Sequence, residues 1–159
     1  MDAGCGPVPM ISLLAEKYPE RHYTGLDLTP AMIEQAKMKQ IPNAEFVVGD
    51  CENFPFEENA IICSNSFHHY PNPQAFFDSV KRCLRPGGRL ILRDVTSENK
   101  FLLWFMDKIE LPIANLCGHG DVKIATRETV MECCKKSGLK VEKFEIRKGM
   151  RMHCVVRKI

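Results

Sequence analysis

Two glycines and three carboxylates near the start of the chain have the types and spacing of a nucleoside-binding site. Asp2, Gly4 and Gly6 lie in the segment DAGCGP, where missing side chains let a ligand approach the backbone. Asp27 follows about 20 residues later, the spacing at which a carboxylate accepts hydrogen bonds from ribose hydroxyls. Asp50 ends the next strand-like segment, where its carboxylate could accept a hydrogen bond from the exocyclic amine of a nucleobase.

Each of these residues also has a plainer structural explanation. Asp27 could support the turn at Thr29, and the Gly49-Asp50 pair could simply end a strand. The third glycine of the dinucleotide fingerprint is replaced by Val8-Pro9, and that glycine allows close packing around a pyrophosphate. An NAD(P)-dependent oxidoreductase is therefore a disfavoured alternative. We interpret the ordered set as a nucleoside cofactor site.

Strand-like and helix-like segments alternate along the chain, which predicts an α/β fold with a doubly wound, mostly parallel sheet. Thr29, Asn72 and Thr126 are predicted N-caps, and proline follows the first two at the first helical position. The predicted strands span 22–27, 44–48, 60–64 and 89–95, and 140–147 with 151–158 is predicted to form an antiparallel hairpin.

The stretch 101–116 is apolar and rich in aromatic residues. It is predicted to form a helix that packs on the sheet and is broken by Pro112. The alternative is that residues 101–106 wall an apolar substrate pocket or form a lid. Within it, Trp104 is the side chain that we expect to be a candidate for a substrate pocket. His119 lies between two glycines in a predicted loop that could reach the site.

Composition describes one globular domain spanning residues 1–159. Eight cysteines show no CxxC or Cys/His spacing, which favours reduced thiols in a cytoplasmic protein and no metal site. The net charge of +2 and the short basic runs give no indication of a nucleic-acid surface. No apolar run reaches the roughly 18 residues needed to span a bilayer, so no membrane partner is expected.

Five ordered motifs are similar to those of the class I S-adenosylmethionine-dependent methyltransferases. The resemblance is to their small-molecule group, which includes the ubiquinone and menaquinone biosynthesis C-methyltransferases. The motifs are DAGCG at 2–6, GLDL at 25–28, GDCENFPF at 49–56, SNSFHH at 64–69 and LRPGGRL at 84–90. They cover most of residues 2–95, whereas 96–159 fits the family only in outline.

The resemblance implies S-adenosylmethionine as cofactor, a small molecule as methyl acceptor and a Rossmann-like fold with a C-terminal antiparallel hairpin. It assigns eight residues to the cofactor: Asp2, Gly4 and Gly6 to the methionine moiety, Asp27 to the ribose hydroxyls, Asp50 to the adenine amine, Leu28 and Cys51 to the faces of the ring, and Asn65 to the region of the transferred methyl group.

Methyl transfer is an in-line displacement, for which positioning the reactants can lower the barrier by roughly 7–11 kcal/mol. A catalytic side chain is therefore optional. If the acceptor must lose a proton, His68 or His69 is the candidate base. The alternative is that one of them hydrogen-bonds its own loop while the other is exposed.

The first strand of this family lies in the middle of the sheet and runs into the glycine turn. Only Met1 precedes Asp2, so the sequence predicts a domain that is incomplete at its N-terminus and a sheet without its first central strand. Two rows of backbone groups would then lack partners. A cofactor-binding or regulatory protein without turnover is therefore an alternative function. The oligomeric state is not predicted.

Overall fold

A computed structural model describes residues 1–116 and 122–159, and in these residues the strands form one seven-stranded sheet. The strands are β1 (Asp2–Ala3), β2 (Tyr23–Asp27), β3 (Ala44–Val48), β4 (Glu58–Ser64), β5 (Leu84–Val95), β6 (Leu139–Arg147) and β7 (Arg151–Lys158). Their order is β3-β2-β1-β4-β5-β7-β6, with β7 antiparallel to both of its neighbours and the other pairs parallel. The predicted fold class and hairpin are confirmed. His119 lies outside the described residues.

The central strand is shortened rather than absent, which corrects the expectation that it is missing. Asp2 and Ala3 pair with Gly25 and Leu26 of β2, and Asp2 also pairs with Ile62 of β4. The chain continues this pairing at both ends, since the Met1 carbonyl accepts from the Ile62 N–H and the Gly4 N–H donates to the Leu26 carbonyl. Asp2 and Ala3 therefore connect β2 to β4, and the glycine turn begins at the carboxyl end of β1.

The helices follow the strands as the sequence pattern predicts. They are α1 (Pro9–Lys17), α2 (Pro30–Met38), α3 (Pro73–Cys83), α4 (Lys100–Phe105), α5 (Leu111–Leu116) and α6 (Arg127–Lys136). The predicted caps at Asn72 and Thr126 are confirmed, because their side chains accept from the N–H groups of Ala75 and Thr129. Thr29 occupies the predicted N-cap position with Pro30 at the first helical position, but its side chain makes no capping hydrogen bond.

Two apolar clusters fill the space between the helices and the sheet. The larger one packs α3 and α6 against β4, β5 and β7, and it includes Phe76, Phe77 and Val130. The smaller one packs α1 and α2 against β2 and β3 around Ile11 and Ile33. These clusters fix the strand ends from which the loops of the candidate site emerge.

The segment 100–116 differs from its prediction in two ways. It stays helical through Pro112: a π-helical turn over Met106–Glu110 directly precedes α5, and the proline lies in the first turn of α5, where a missing N–H is tolerated. It also does not pack on the sheet as expected: Met106 is buried, whereas Phe101 is 71% and Trp104 is 52% exposed, and these two rings stack on each other. Trp104 does not line the pocket described below.

Candidate functional site

The loops at the carboxyl ends of β1, β2, β3 and β4 surround one pocket of about 680 Å³. The strand order reverses between β1 and β4, and ligands of open α/β sheets bind in the crevice at such a switch point. Fifteen residues line this pocket: Gly4, Gly6, Pro7, Asp27, Leu28, Thr29, Met32, Asp50, Cys51, Glu52, Asn65, Ser66, His69, Tyr70 and Pro71.

The glycine turn that follows β1 needs its two glycines for different reasons. Gly4 has φ +71°, and a Cβ on it would lie 2.5 Å from both the Cβ and the Oγ of Ser66. Gly6 has φ +52°, but a Cβ on it would meet no atom within 4 Å. Gly4 is therefore required for close approach to the β4 loop. Gly6 is required for its left-handed backbone and faces open space.

Val8 has the same left-handed conformation although it carries a β-branched side chain. Its φ is +56°, and its side chain is fully buried beside Ile11 and Ile33. A β-branched residue in this region is a conformational outlier, which costs of order 1–3 kcal/mol. Apolar packing at the start of α1 holds Val8 in this left-handed conformation, which a valine in the sequence would not predict.

Asp27 fixes the glycine turn against the end of β2. Its Oδ2 accepts from the Gly6 N–H at 2.8 Å, and its Oδ1 accepts from the Thr29 N–H at 2.9 Å. Each carboxylate oxygen has a further lone pair, so both can accept from a ligand hydroxyl as well. Both interpretations of Asp27 from the sequence are therefore compatible: it supports the turn at Thr29 and it lines the pocket.

Asp50 has the corresponding position at the end of β3. Its Oδ1 accepts from the Glu52 N–H at 2.8 Å, which shapes the turn that follows the strand. The neighbouring Cys51 is buried, and burial raises the pKa of its thiol to about 11. The Cys51 side chain is therefore neutral and gives the pocket an apolar wall beside a carboxylate.

Asp2 is the predicted cofactor residue that the structure does not place on the pocket surface. It is 5% exposed and lies within the sheet beneath the glycine turn. Burial raises the pKa of its carboxyl to about 7, with a smaller increase from Asp27, while the charge of the chain terminus opposes the shift. The other seven predicted cofactor residues all line the pocket.

Ser66 and Tyr70 also line the pocket, although neither was predicted from the sequence as a site residue. The Ser66 hydroxyl donates to the Ala3 carbonyl at 2.9 Å and lies 3.1 Å from the Tyr70 hydroxyl. Burial raises the pKa of Tyr70 well above its usual value, so its phenol stays neutral. The signal that pointed to them is their position in the segment 64–71, directly after β4.

The two adjacent histidines have different environments. His69 lines the pocket. The His68 ring instead bonds through Nδ1 to Oδ1 of the buried Asp94 at 2.7 Å. Asn65 also lines the pocket, and its side-chain oxygen accepts from Arg151 at the start of β7. His69 is exposed, as the alternative from the sequence expected for one of the two histidines, whereas the ring of His68 bonds Asp94 of β5 rather than its own loop.

Within residues 1–116 and 122–159, no three His, Cys, Asp or Glu side chains are grouped so that they could hold a metal ion. None of the helices described there is long and apolar enough to cross a membrane.

Comparison with known proteins bears on the chemistry of the pocket. A sequence model of the methyltransferase domain family matches residues 1–92. The phthiotriol/phenolphthiotriol dimycocerosates methyltransferase of Mycobacterium leprae is 39% identical over 111 residues, which are 67% of this chain and 41% of that protein. The chain spans less than half the length of the curated relatives that it matches.

Solved structures share the fold at low sequence identity. An S-adenosylmethionine-dependent methyltransferase from Mesorhizobium loti has a TM-score of 0.76 and 16% identity, covering 99% of this chain and 89% of that one. The [4+2]-cyclase SpnF has a TM-score of 0.78 and 15% identity, covering 99% and 73%. At such identities the likeness shows the fold alone.

Proposed function

Because this chain belongs to the class I S-adenosylmethionine-dependent methyltransferases, we propose that its pocket binds S-adenosylmethionine and that the protein methylates a small-molecule acceptor. One observation carries the proposal. Asp27 holds the glycine turn through the Gly6 N–H, and Asp50 lies in the same pocket at the end of the neighbouring strand. The likeness to the ubiquinone and menaquinone group stays a prediction.

The chemistry of the pocket residues fits this cofactor. Asp27 would accept from the ribose hydroxyls while it continues to hold the Gly6 and Thr29 N–H groups. Asp50 would accept from the adenine amine. Leu28, which is 69% exposed, and the neutral Cys51 thiol would flank the ring, and the ring would cover the apolar surface of Leu28.

The methionine moiety would lie toward β1 and β4. Gly6 leaves open space beside the backbone there, Gly4 brings the turn close to Ser66, and Asn65 follows directly after β4. Asp2 would act from beneath the turn, as a buried carboxyl in the sheet, rather than by lining the pocket. When bound, S-adenosylmethionine supplies a methyl group on a sulfonium, and the electrons of the broken C–S bond stay on the sulfur.

His69 is the residue that we assign to proton transfer. The relative from Mycobacterium leprae is named for a triol acceptor, and a hydroxyl acceptor must lose its proton as its oxygen bonds the methyl carbon. A neutral imidazole at the pocket wall can take that proton, which typically contributes 10²–10⁴-fold to the rate. His68 would serve the same step indirectly, because its ring is held by Asp94.

A cytoplasmic location is proposed on the basis of the cysteines. Seven free cysteines are buried in the described part of the chain, and burial raises the pKa of thiols such as Cys5 and Cys134 to about 12. Such thiols behave as small apolar core residues, which suits a reducing compartment.

Calorimetric titration with S-adenosylmethionine, S-adenosylhomocysteine and NAD tests the cofactor assignment. We expect binding of the first two ligands and none of NAD. Asp27→Ala should weaken S-adenosylhomocysteine binding at least about tenfold, because hydrogen bonds to a charged group contribute roughly 1.5–3 kcal/mol each. Glu34→Ala is the matched control, since Glu34 is an exposed carboxylate on the neighbouring helix α2.

Equal affinity in the Asp27→Ala and Glu34→Ala variants would contradict the assignment. Transfer is measured separately, by following a labelled methyl group into a panel of hydroxyl-bearing lipids and quinols. Binding without transfer to any acceptor would favour the second candidate, a cofactor-binding protein without turnover.

A further inference from the structure

Asp94 is a fully buried carboxylate that accepts three hydrogen bonds close to the pocket. It lies near the end of β5 and is 0% exposed. Its Oδ2 accepts from the His68 N–H at 3.1 Å, and its Oδ1 accepts from the Val95 N–H at 2.7 Å. The same Oδ1 lies 2.7 Å from Nδ1 of the His68 ring. Backbone and ring of one histidine are therefore held by a single side chain.

The bond between Asp94 and His68 determines where the ring proton lies. Oδ1 of Asp94 already accepts from the Val95 N–H, so we assign Nδ1 of His68 as the donor of the 2.7 Å bond to the same oxygen. An imidazole that is held in this way has a fixed tautomer and a fixed ring plane, which is how buried carboxylates orient histidines in enzyme sites.

His68 passes this constraint to its surroundings. The centre of its ring lies 4.1 Å from the centre of the His69 ring, and His69 lines the pocket. The His68 carbonyl accepts from the N–H groups of Val122 and Lys123, at 2.9 and 3.2 Å. The short turn that carries both histidines is thus tied to β5 on one side and to the segment before α6 on the other.

We propose that Asp94 is a positioning residue for methyl transfer: it fixes the ring of His68, and the ring of His68 fixes His69 at the pocket wall. The proposal rests on the function proposed above, in which His69 takes the acceptor proton. Asp94 is fully buried and is not among the residues that line the pocket. Its effect must therefore pass through the histidine pair.

The first test reads the ring proton without any activity measurement. Nitrogen-15 NMR of the histidine rings, with His68 assigned from a His68→Asn variant, should show Nδ1 of His68 protonated above pH 8. Free neutral histidine favours protonation at Nε2 instead. A His68 ring protonated at Nε2 alone would overturn the proposal, whether or not the protein binds S-adenosylmethionine.

The second test uses a double-mutant cycle. Asp94→Asn cannot keep all three donors, since an amide offers one acceptor oxygen and an NH₂ group. We expect kcat to fall at least tenfold while the Kd for S-adenosylhomocysteine changes less than twofold. In a His69→Ala background the same substitution should lower kcat less than twofold further, because the residue through which Asp94 acts is gone.

Independent, multiplicative losses in the double variant would overturn the proposal and make Asp94 a structural residue only. Asp78→Asn is the matched control, because Asp78 is an exposed aspartate on α3 whose carboxylate bonds Ser137 and Gln74. His68→Asn keeps an N–H donor near the Nδ1 position and so provides a variant that retains the bond to Asp94. It should lower kcat through loss of the ring next to His69, and wild-type kcat in this variant would also overturn the proposal.

Discussion

The two glycines of the turn after β1 should respond very differently to the same substitution. Gly4→Ala places a Cβ 2.5 Å from the Cβ and Oγ of Ser66 and 3.0 Å from the Tyr70 hydroxyl. Ser66 cannot move away freely, because its hydroxyl bonds the Ala3 carbonyl in the central strand. Gly6→Ala places a Cβ where no atom lies within 4 Å.

The magnitudes follow from these contacts. Both positions have a left-handed backbone, for which an alanine costs about 1–2 kcal/mol relative to glycine. Overpacking at a site that cannot relax adds about 1–3 kcal/mol, and only Gly4→Ala incurs it. We therefore expect the free energy of unfolding to fall by about 2–5 kcal/mol in Gly4→Ala and by about 1–2 kcal/mol in Gly6→Ala.

Urea denaturation of both variants measures the difference, and Gly149→Ala provides the control for backbone strain. Gly149 has φ +79°, lies in the hairpin turn far along the chain and has no atom within 4 Å of an added Cβ. Gly149→Ala and Gly6→Ala should lose similar stability. Only Gly6→Ala should weaken S-adenosylhomocysteine binding, since only its Cβ enters the pocket.

Two results would refute this reasoning. A stability loss in Gly6→Ala as large as that in Gly4→Ala would show that the close approach to Ser66 does not decide the requirement for glycine. Unchanged cofactor affinity in Gly6→Ala would show that the turn does not contact the ligand.

Two further predictions concern stability. Asp2 has a carboxyl pKa raised from 3.8 to about 7, so the folded chain keeps a proton that the unfolded chain releases between these values. The free energy of unfolding should therefore decrease from pH 5 to pH 8. This decrease, measured by urea denaturation, should be roughly 3 kcal/mol smaller in Asp2→Asn. Equal decreases in the two proteins would contradict the raised pKa of Asp2. Asn72→Ala should lower the free energy of unfolding by about 1 kcal/mol through the lost cap on the Ala75 N–H, whereas Thr29→Ala should lower it by less than about 0.5 kcal/mol. Urea denaturation measures both losses, and equal losses would refute the cap assignment.

The order of elements and most of the pocket could be predicted from the sequence because they depend on local signals. Proline after Asn72 and the apolar runs 44–48 and 60–64 act within a few residues. The carboxyl ends of parallel strands meet at one edge of the sheet, so ordered motifs there predict one pocket. Seven of the eight predicted cofactor residues lie on its surface, and their roles toward the cofactor stay proposals.

Predictions failed where distant contacts decide the outcome. The segment 100–116 has the composition of a buried helix, yet Phe101 and Trp104 are exposed, and the side chains that pack on β4, β5 and β7 include those of α3 and α6. The central strand was expected to be absent. In the structure Asp2 and Ala3 form this strand: both pair with β2, at Gly25 and Leu26, and Asp2 also pairs with Ile62 of β4.

By itself the sequence determined the class I fold, the glycine turn and the carboxylates that follow it, since each is encoded in residue type and spacing along the chain. Only the tertiary structure decided that Gly4 is needed for its approach to Ser66, that Asp2 lies beneath the pocket and that Asp94 binds His68 and not His69. Each of these facts depends on distances between residues on different strands. Such distances are set by the pairing and packing of the whole sheet, which no local pattern specifies.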